Sequence, residues 1–256
     1  MAQAKQLGRH TLPASTTAST ISAPLSAEDA LVTKLGFWSA VGAAVFSIAF
    51  TVGTIVGFLF FPQAAWTGDI ATFAAKYNPT SMELGVVPSI LLAPAFLGLA
   101  VAIHSGASAE KKPLTLLGLL FATIYVATVV INYFLQLTVI RQNLLAGTTD
   151  AMGLFAMSNT RSVFWTLEFL GYFWQGAAAL LMAAYFVGPG LGRWTRWMLI
   201  AVFASGALGV VAAVRGTTFS DPLFIGGSAV WTLCFPAAMI LGAIYFRRMR
   251  LAGREA

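Results

Sequence analysis

The sequence predicts an all-α fold, a polytopic bundle of about six transmembrane helices with both termini on the cytoplasmic side. Of the 256 residues, 58% are hydrophobic and 9% are charged, whereas a soluble domain carries roughly a quarter charged residues. The mean hydropathy is +0.81, and six apolar segments each approach the roughly 20 residues that cross a bilayer. These observations exclude a soluble enzyme, a disordered chain and a disulfide scaffold.

Polar segments flank a predicted transmembrane domain at 36–248. Residues 1–35 are rich in Ser, Thr and Ala and hold no apolar run typical of a secretory signal, so we expect a disordered cytoplasmic tail. Ser26, three residues before Asp29, has the spacing of a helix N-cap and predicts a short helix leading into the membrane. Residues 249–256 are expected to form a short basic cytoplasmic tail.

Six apolar segments follow one another along the chain, and each has its own boundary signal. The first begins after Lys34, and the third begins at a proline that follows two lysines. Prolines within the second and sixth do not exclude a helix, because neighbouring helices can satisfy the freed carbonyl groups inside a membrane. The predicted spans are 37–61, 85–104, 113–140, 162–187, 194–214 and 225–246.

The distribution of basic residues predicts the orientation. Eleven of the 15 Lys and Arg residues fall on the side that holds both termini, and basic residues are enriched on the cytoplasmic face. The same distribution explains the net charge of +6 without a nucleic-acid partner. We therefore expect a multi-pass protein of a bacterial plasma membrane, with the lipid bilayer as its surroundings.

Several kinds of chemistry lack the residues that they need. Cys234 is the single cysteine, so neither an intrachain disulfide nor a thiolate cluster can form. His10 and His104 are the only histidines, and His10 lies in the polar tail. The sequence has neither a HExxH motif nor a phosphate-binding glycine motif. It therefore predicts no metal site and no cofactor.

Polar side chains recur on one face of the third span and on one face of the fourth. Steps of three and four residues place side chains on the same helix face, and polar residues inside a bilayer usually face the bundle interior. The two sets are Tyr125, Thr128, Asn132 and Gln136 in the third span, and Trp165, Glu168, Tyr172 and Gln175 in the fourth.

Three of these groups are predicted to meet at one depth. The two spans run in opposite directions from a shared loop, so Gln136, Glu168 and Asn132 lie about 6, 9 and 12 Å below it. Antiparallel packing would bring the carboxyl group and the two amides within hydrogen-bonding distance. We expect this cluster to form the polar part of any functional site.

Glu168 is the one acidic residue well inside a span and is the candidate catalytic residue. A neutral carboxyl group could donate a proton as a general acid, whereas a charged one could bind a cationic group. Candidate counter-ions are Arg161, two turns away, and Arg215, at the end of the fifth span. The alternative is purely structural, because polar contacts between transmembrane helices each contribute about 0.6–2 kcal/mol.

Two stretches resemble uncharacterised bacterial multi-pass membrane proteins: residues 132–142 (NYFLQLTVIRQ) and residues 162–171 (SVFWTLEFLG). The Gly-Pro-Gly turn at 188–190 and the Arg-Trp pair at 193–194 resemble a related family of six-span proteins of unknown function. The resemblance extends over most of 36–248. It implies a six-span fold and no particular activity.

The leading functional hypothesis is an integral membrane protein that binds a hydrophobic small molecule or lipid in a polar-lined cavity between the third and fourth spans. Its candidate ligand-binding residues are Tyr125, Asn132, Gln136, Trp165, Tyr172, Gln175 and Arg215. The enzyme alternative is a cofactor-independent isomerase or cyclase of an isoprenoid or sterol-like substrate, with Glu168 as the general acid and with Trp165 and Tyr172 stabilising a cation.

Two further alternatives remain at this point. One is an accessory subunit of a larger membrane complex, for which the small residues Ala204, Gly206 and Gly209 of the fifth span could contact a membrane-protein partner. The other is a small transporter.

Overall fold

The computed structural model describes residues 26–216 and 221–252, and this part of the chain is helical and contains no strand. Six of its helical segments are long and apolar enough to cross a membrane, which confirms the predicted all-α, multi-pass fold. The helices are α1 (Ala27–Phe60), α2 (Ile70–Ala74), α3 (Pro79–Ser105), α4 (Lys112–Leu135), α5 (Arg141–Leu145), α6 (Val163–Met182), α7 (Leu191–Val214) and α8 (Pro222–Ala252).

The first and last transmembrane helices extend beyond the predicted domain boundaries. α1 begins at Ala27, where the Ser26 side chain accepts a hydrogen bond from the Asp29 amide. Residues 27–35 therefore belong to the helix and not to a disordered tail. α8 likewise continues to Ala252, through part of the predicted C-terminal tail. Residues 1–25 and 253–256 of the two predicted tails lie outside the described residues.

The six long helices form a closed ring. Each packs against its neighbours in chain order, and α8 returns to pack against α1. Both described ends lie on one side, which we call the terminal side. The opposite, loop side holds the connections after α1, α5 and α7. Because the ring faces lipid on the outside, many large apolar side chains there are exposed, as expected for a protein whose solvent is the bilayer.

Aromatic rings fill the middle of the ring. Phe96 of α3 contacts Tyr125 of α4 and Phe235 of α8, with ring centroids 5.6 and 5.7 Å apart. Trp231 of α8 stacks on Phe235 at 5.1 Å and meets Tyr172 of α6 edge-on at 5.1 Å. Edge-to-face and offset contacts of this kind stabilise aromatic pairs. They join four helices across the ring interior.

The two long connections on the loop side pack on each other. Phe73 of α2 forms a small buried cluster with Ile140 and Leu144, which end the third span. The side chains of Trp66 and Phe155 cover it. α2 is a short helix in the first connection, and its buried Phe73 faces the third span. The loop side of the ring is therefore covered by its own cap.

Tyr77 belongs to this cap and makes the stability of the protein sensitive to alkaline pH. Its hydroxyl lies 3.7 Å from Met82 Sδ, and burial raises the pKa of Tyr77 to about 12 from 10.0. Because the folded state holds the proton more tightly, the contribution of Tyr77 is fully present below pH 10 and is lost as the pH rises to about 12. We expect the Tyr77→Phe variant to lose less stability than the parent over this pH range, as measured by thermal unfolding in detergent. An equal loss in both proteins would contradict this assignment.

At the α6–α7 interface, two glycines allow the backbones of the two helices to touch, because glycine has no side chain to keep them apart. A Cβ atom on Gly206 of α7 would lie 2.6 Å from the Tyr172 carbonyl oxygen, and one on Gly176 of α6 would lie 2.9 Å from Phe203 Cα. Gly209 faces the Phe169 ring of α6 in the same way. The hypothesis that Gly206 and Gly209 face a partner protein is therefore wrong, because these glycines already pack against α6.

Candidate functional site

Glu168 lies at the contact between α4 and α6, where neutral donors surround its carboxyl group. Tyr133 donates a hydrogen bond to Oε1 at 2.6 Å, and Asn132 Nδ2 lies 3.4 Å from Oε2. Asn132 also donates to the Phe164 carbonyl at 3.1 Å. The predicted contact between Asn132 and Glu168 is present. Its donors are neutral, so they stabilise the carboxyl oxygens without supplying a positive charge.

Among the described residues, no cation forms an ion pair with this carboxyl group. Within residues 26–216 and 221–252, the one ion pair joins Arg141 to Glu83 on the loop side at 2.6 Å. Arg215 is exposed at the end of α7 and forms no ion pair with Glu168. The described residues also include no group of three or more His, Cys, Asp or Glu side chains that could hold a metal ion.

A chain of hydroxyl groups continues from Glu168 towards the centre of the ring. The Tyr133 hydroxyl lies 3.4 Å from that of Tyr172, one turn deeper along α6 than Glu168. The Tyr172 ring contacts that of Tyr125, with centroids 6.2 Å apart. Tyr125 and Tyr133 are both completely buried. The polar cluster thus extends from the cap into the aromatic interior.

Gln175 and Trp231 form the deepest polar contact of the cluster. Trp231 Nε1 donates a hydrogen bond to Gln175 Oε1 at 2.7 Å and links α8 to α6. Gln175 lies seven residues beyond Glu168 on α6, a distance of about 10 Å along the helix. The polar cluster therefore extends from the α4–α6 contact at Glu168 to α8 on the other side of the ring interior.

α4 and α6 also pack directly against each other. A Cβ atom on Gly171 of α6 would lie 2.7 Å from Val129 Cγ2 of α4, and one on Gly118 of α4 would lie 3.2 Å from Met182 Cγ of α6. Both contacts lie on the terminal side of Glu168, and the polar side chains of the cluster lie on a face inside the ring. The polar-lined cavity expected between the third and fourth spans stays a prediction.

Several buried polar atoms near this face have no hydrogen-bond partner among the described residues. In the ring interior they are Tyr125 Oη and Gln175 Nε2, and both residues are fully buried. Nearer the loop side, Gln136 Oε1, Ser158 Oγ and Ser162 Oγ are also unpartnered. An unpaired buried polar group costs roughly 1–3 kcal/mol. These atoms, with Glu168 among them, mark a polar path from the cap to the middle of the membrane.

Three predicted site residues are used elsewhere: two bond to the loop between α5 and α6, and one is exposed at the end of α7. Gln136 donates to the Phe155 carbonyl at 2.9 Å, and Trp165 donates to the Met157 carbonyl at 2.7 Å, so both support the loop between α5 and α6. Arg215 is exposed, as described above. Gln136 is the first residue of a π-helical turn at Gln136–Ile140. The long side chain of Gln136 reaches the loop between α5 and α6, a contact that helix spacing does not predict.

Sequence reasoning missed three residues of the cluster: Tyr133, Trp231 and Ser89. Tyr133 follows Asn132 directly, and adjacent helix positions differ by about 100° in direction, so the face analysis excluded it. The long tyrosine side chain nevertheless brings its hydroxyl group to Glu168. Trp231 could have been noticed as the one tryptophan within the sixth span.

Comparison of the chain with protein-family models, with curated proteins and with solved structures gives no match. The resemblance to bacterial six-span proteins therefore stays a prediction. The functional argument depends on the site geometry.

Proposed function

We propose that this multi-pass membrane protein binds a small amphiphilic molecule inside its helical ring, with the polar group of that molecule at the Glu168 cluster. The observation that carries the proposal is a buried carboxyl group that forms no ion pair among the described residues, in the same polar cluster as two fully buried atoms that lack partners, Tyr125 Oη and Gln175 Nε2. Buried polar groups are nearly always hydrogen-bonded. A hydroxyl, carbonyl or amine group of a bound ligand would satisfy these atoms. Before the ligand binds, water molecules that it displaces would satisfy them.

The polar path favours entry from the loop side. The unpartnered groups lie between the cap and the middle of the ring. Towards the terminal side, the interior is closed by large apolar side chains that are 1% exposed or less, including Met182, Phe186, Met239 and Phe246. A site that is polar on one side suits a binding protein better than a transporter, which needs access from both sides.

An enzyme that moves a proton on the bound molecule is the second candidate. The 2.6 Å bond from Tyr133 to Glu168 and the neighbouring Tyr172 hydroxyl provide groups that could exchange a proton. Tyr172 and Trp231 supply the aromatic faces that an isomerase or cyclase would use for a cationic intermediate. Trp165 lies one turn nearer the loop side than Glu168 and bonds to the connecting loop, so Tyr172 and Trp231 are the aromatic residues of this candidate.

The membrane and its sidedness belong to the same proposal. The predicted excess of basic residues on the terminal side supports a cytoplasmic location for both termini, and the resemblance supports a bacterial plasma membrane. The ligand would then enter from outside the cytoplasm or from the outer leaflet.

Native mass spectrometry of the protein in nanodiscs made from its own membrane tests the binding function. We expect a specific adduct of low mass, with occupancy reduced about ten-fold or more in Glu168→Gln, because a hydrogen bond to a charged group contributes about 1.5–3 kcal/mol. Glu83→Gln is the matched control, since Glu83 pairs with Arg141 outside the ring interior. A bare protein, or an adduct lost equally in both variants, would refute the proposal. A stoichiometric protein partner in place of the adduct would favour an accessory subunit.

A further inference from the structure

A groove on the outer surface of the ring lies on the opposite side of the molecule from the buried Glu168 cluster. α1 and α8 leave an open groove on the outside of the ring, with a cavity volume of about 310 Å³. Its walls are apolar except for one residue: Phe37, Val41 and Val45 of α1 face Ile240 and Ile244 of α8, and Arg247 stands at one end. Val45 and Ile240 are 54% and 45% exposed, so the groove opens towards lipid.

The groove has the length and position of one acyl chain. Its α1 wall runs from Phe37 to Ile48, a length of about 16 Å at the rise of an α-helix. Half of the hydrocarbon core of a bilayer is about 15 Å thick. The groove begins near the terminal side and ends close to the middle of the ring, so it spans the leaflet on that side.

The mouth of the groove carries positive charge and no acidic residue of α8. Arg247 is exposed and lies on the same face of α8 as Ile240 and Ile244, and Lys34 is exposed one turn before Phe37 on α1. The sequence of α8 contains no Asp or Glu. Glu28 and Asp29 lie more than a turn beyond Lys34, at the start of α1. Arg247 therefore lines the groove, and Lys34 lies one turn beyond its α1 wall, so two cations stand near the end of the groove on the terminal side.

We infer that the α1–α8 groove is a binding site for an anionic phospholipid of the terminal-side leaflet. One acyl chain lies along Val41 and Val45, and the phosphate group lies between Arg247 and Lys34. An apolar groove alone would take any lipid, but the paired cations select a headgroup with net negative charge. This site is independent of the ligand proposed for the ring interior.

Titration of the purified protein in detergent with phosphatidylglycerol and phosphatidylcholine of identical acyl chains, read by native mass spectrometry, tests the headgroup. We expect phosphatidylglycerol to bind more tightly, and Arg247→Gln to weaken it about five-fold, the contribution of one basic residue near an anionic lipid surface. Arg248→Gln is the control, because Arg248 is exposed on the next position of α8 and does not line the groove. Equal binding of the two lipids, or equal weakening by both variants, would overturn the inference.

A second pair of variants tests the acyl-chain position. Val45→Trp fills the groove with a large side chain at an exposed position, and it should reduce phosphatidylglycerol occupancy about as much as Arg247→Gln. Val52→Trp makes the same change on α1 at a position of 53% exposure that does not line the groove, and it should leave occupancy unchanged. Unchanged binding in Val45→Trp would place the lipid elsewhere and overturn the inference.

Discussion

Gly206→Ala is expected to lower the free energy of unfolding by about 3 kcal/mol, the upper part of the range for overpacked interiors. The added methyl group would lie 2.6 Å from the Tyr172 carbonyl oxygen and 3.0 Å from Phe173 Cα. Both are backbone atoms, which cannot rotate away as the end of a side chain can. α6 and α7 must therefore separate, and the aromatic contacts of α6 would be disturbed. Denaturant unfolding in detergent micelles, followed by tryptophan fluorescence, measures the change.

The matched control for this prediction is Gly242→Ala. A Cβ atom there would lie 4.0 Å from Phe186 Cζ of the α6–α7 connection, an ordinary van der Waals distance. Alanine favours the helix over glycine by about 1 kcal/mol, so this variant should be as stable as the parent or more stable. If both alanine variants change stability in the same direction and by the same amount, the backbone contact at Gly206 is not what holds α6 against α7.

Glu168→Ala is expected to destabilise the protein by about 3 kcal/mol, because it leaves two buried donors without their acceptor. Tyr133 would lose its 2.6 Å bond, and Asn132 would keep only its bond to the Phe164 carbonyl. Glu168→Gln should cost about 1 kcal/mol or less, since the amide oxygen can still accept from Tyr133. The same unfolding measurement, with the two variants side by side, checks the difference.

The two Glu168 variants also separate a structural role from a functional one. If Glu168 only joins α4 to α6, the glutamine variant should retain both stability and any bound ligand. If the carboxyl group binds a ligand, the glutamine variant should be stable and should lose the ligand. An alanine variant as stable as the glutamine variant would show that the Tyr133 bond contributes little to the fold.

The number, order and approximate limits of the membrane helices follow from the sequence alone. Hydropathy indicates which residues lie in the membrane, and it can be read from each span without knowing where the other spans are. The helices that overlap their predicted ranges closely are α3, α4, α6 and α7. The ends of α1 and α8 were predicted less well. Their outer turns are polar, and helical structure there does not require an apolar sequence.

Part of the candidate site was also predictable. The spacing of Asn132 in the third span and Glu168 in the fourth, measured from their shared loop, placed them at one depth, and the structure brings them into contact. The prediction of equal depth succeeded because a single loop joins the two antiparallel helices and fixes their register. No comparable local rule relates Trp231 of the last helix to Gln175, because the two side chains meet across the interior of the ring.

What the sequence by itself determined is a six-span helical membrane protein with one buried carboxyl group near the loop between its third and fourth spans. Only the tertiary structure decided that Tyr133 holds that carboxyl group, that Gln136 bonds to the cap, and that Gly206 packs against α6. Hydropathy and helix periodicity describe one helix at a time. Which faces meet depends on close packing between helices, where a single methyl group or a turn of different pitch decides the contact.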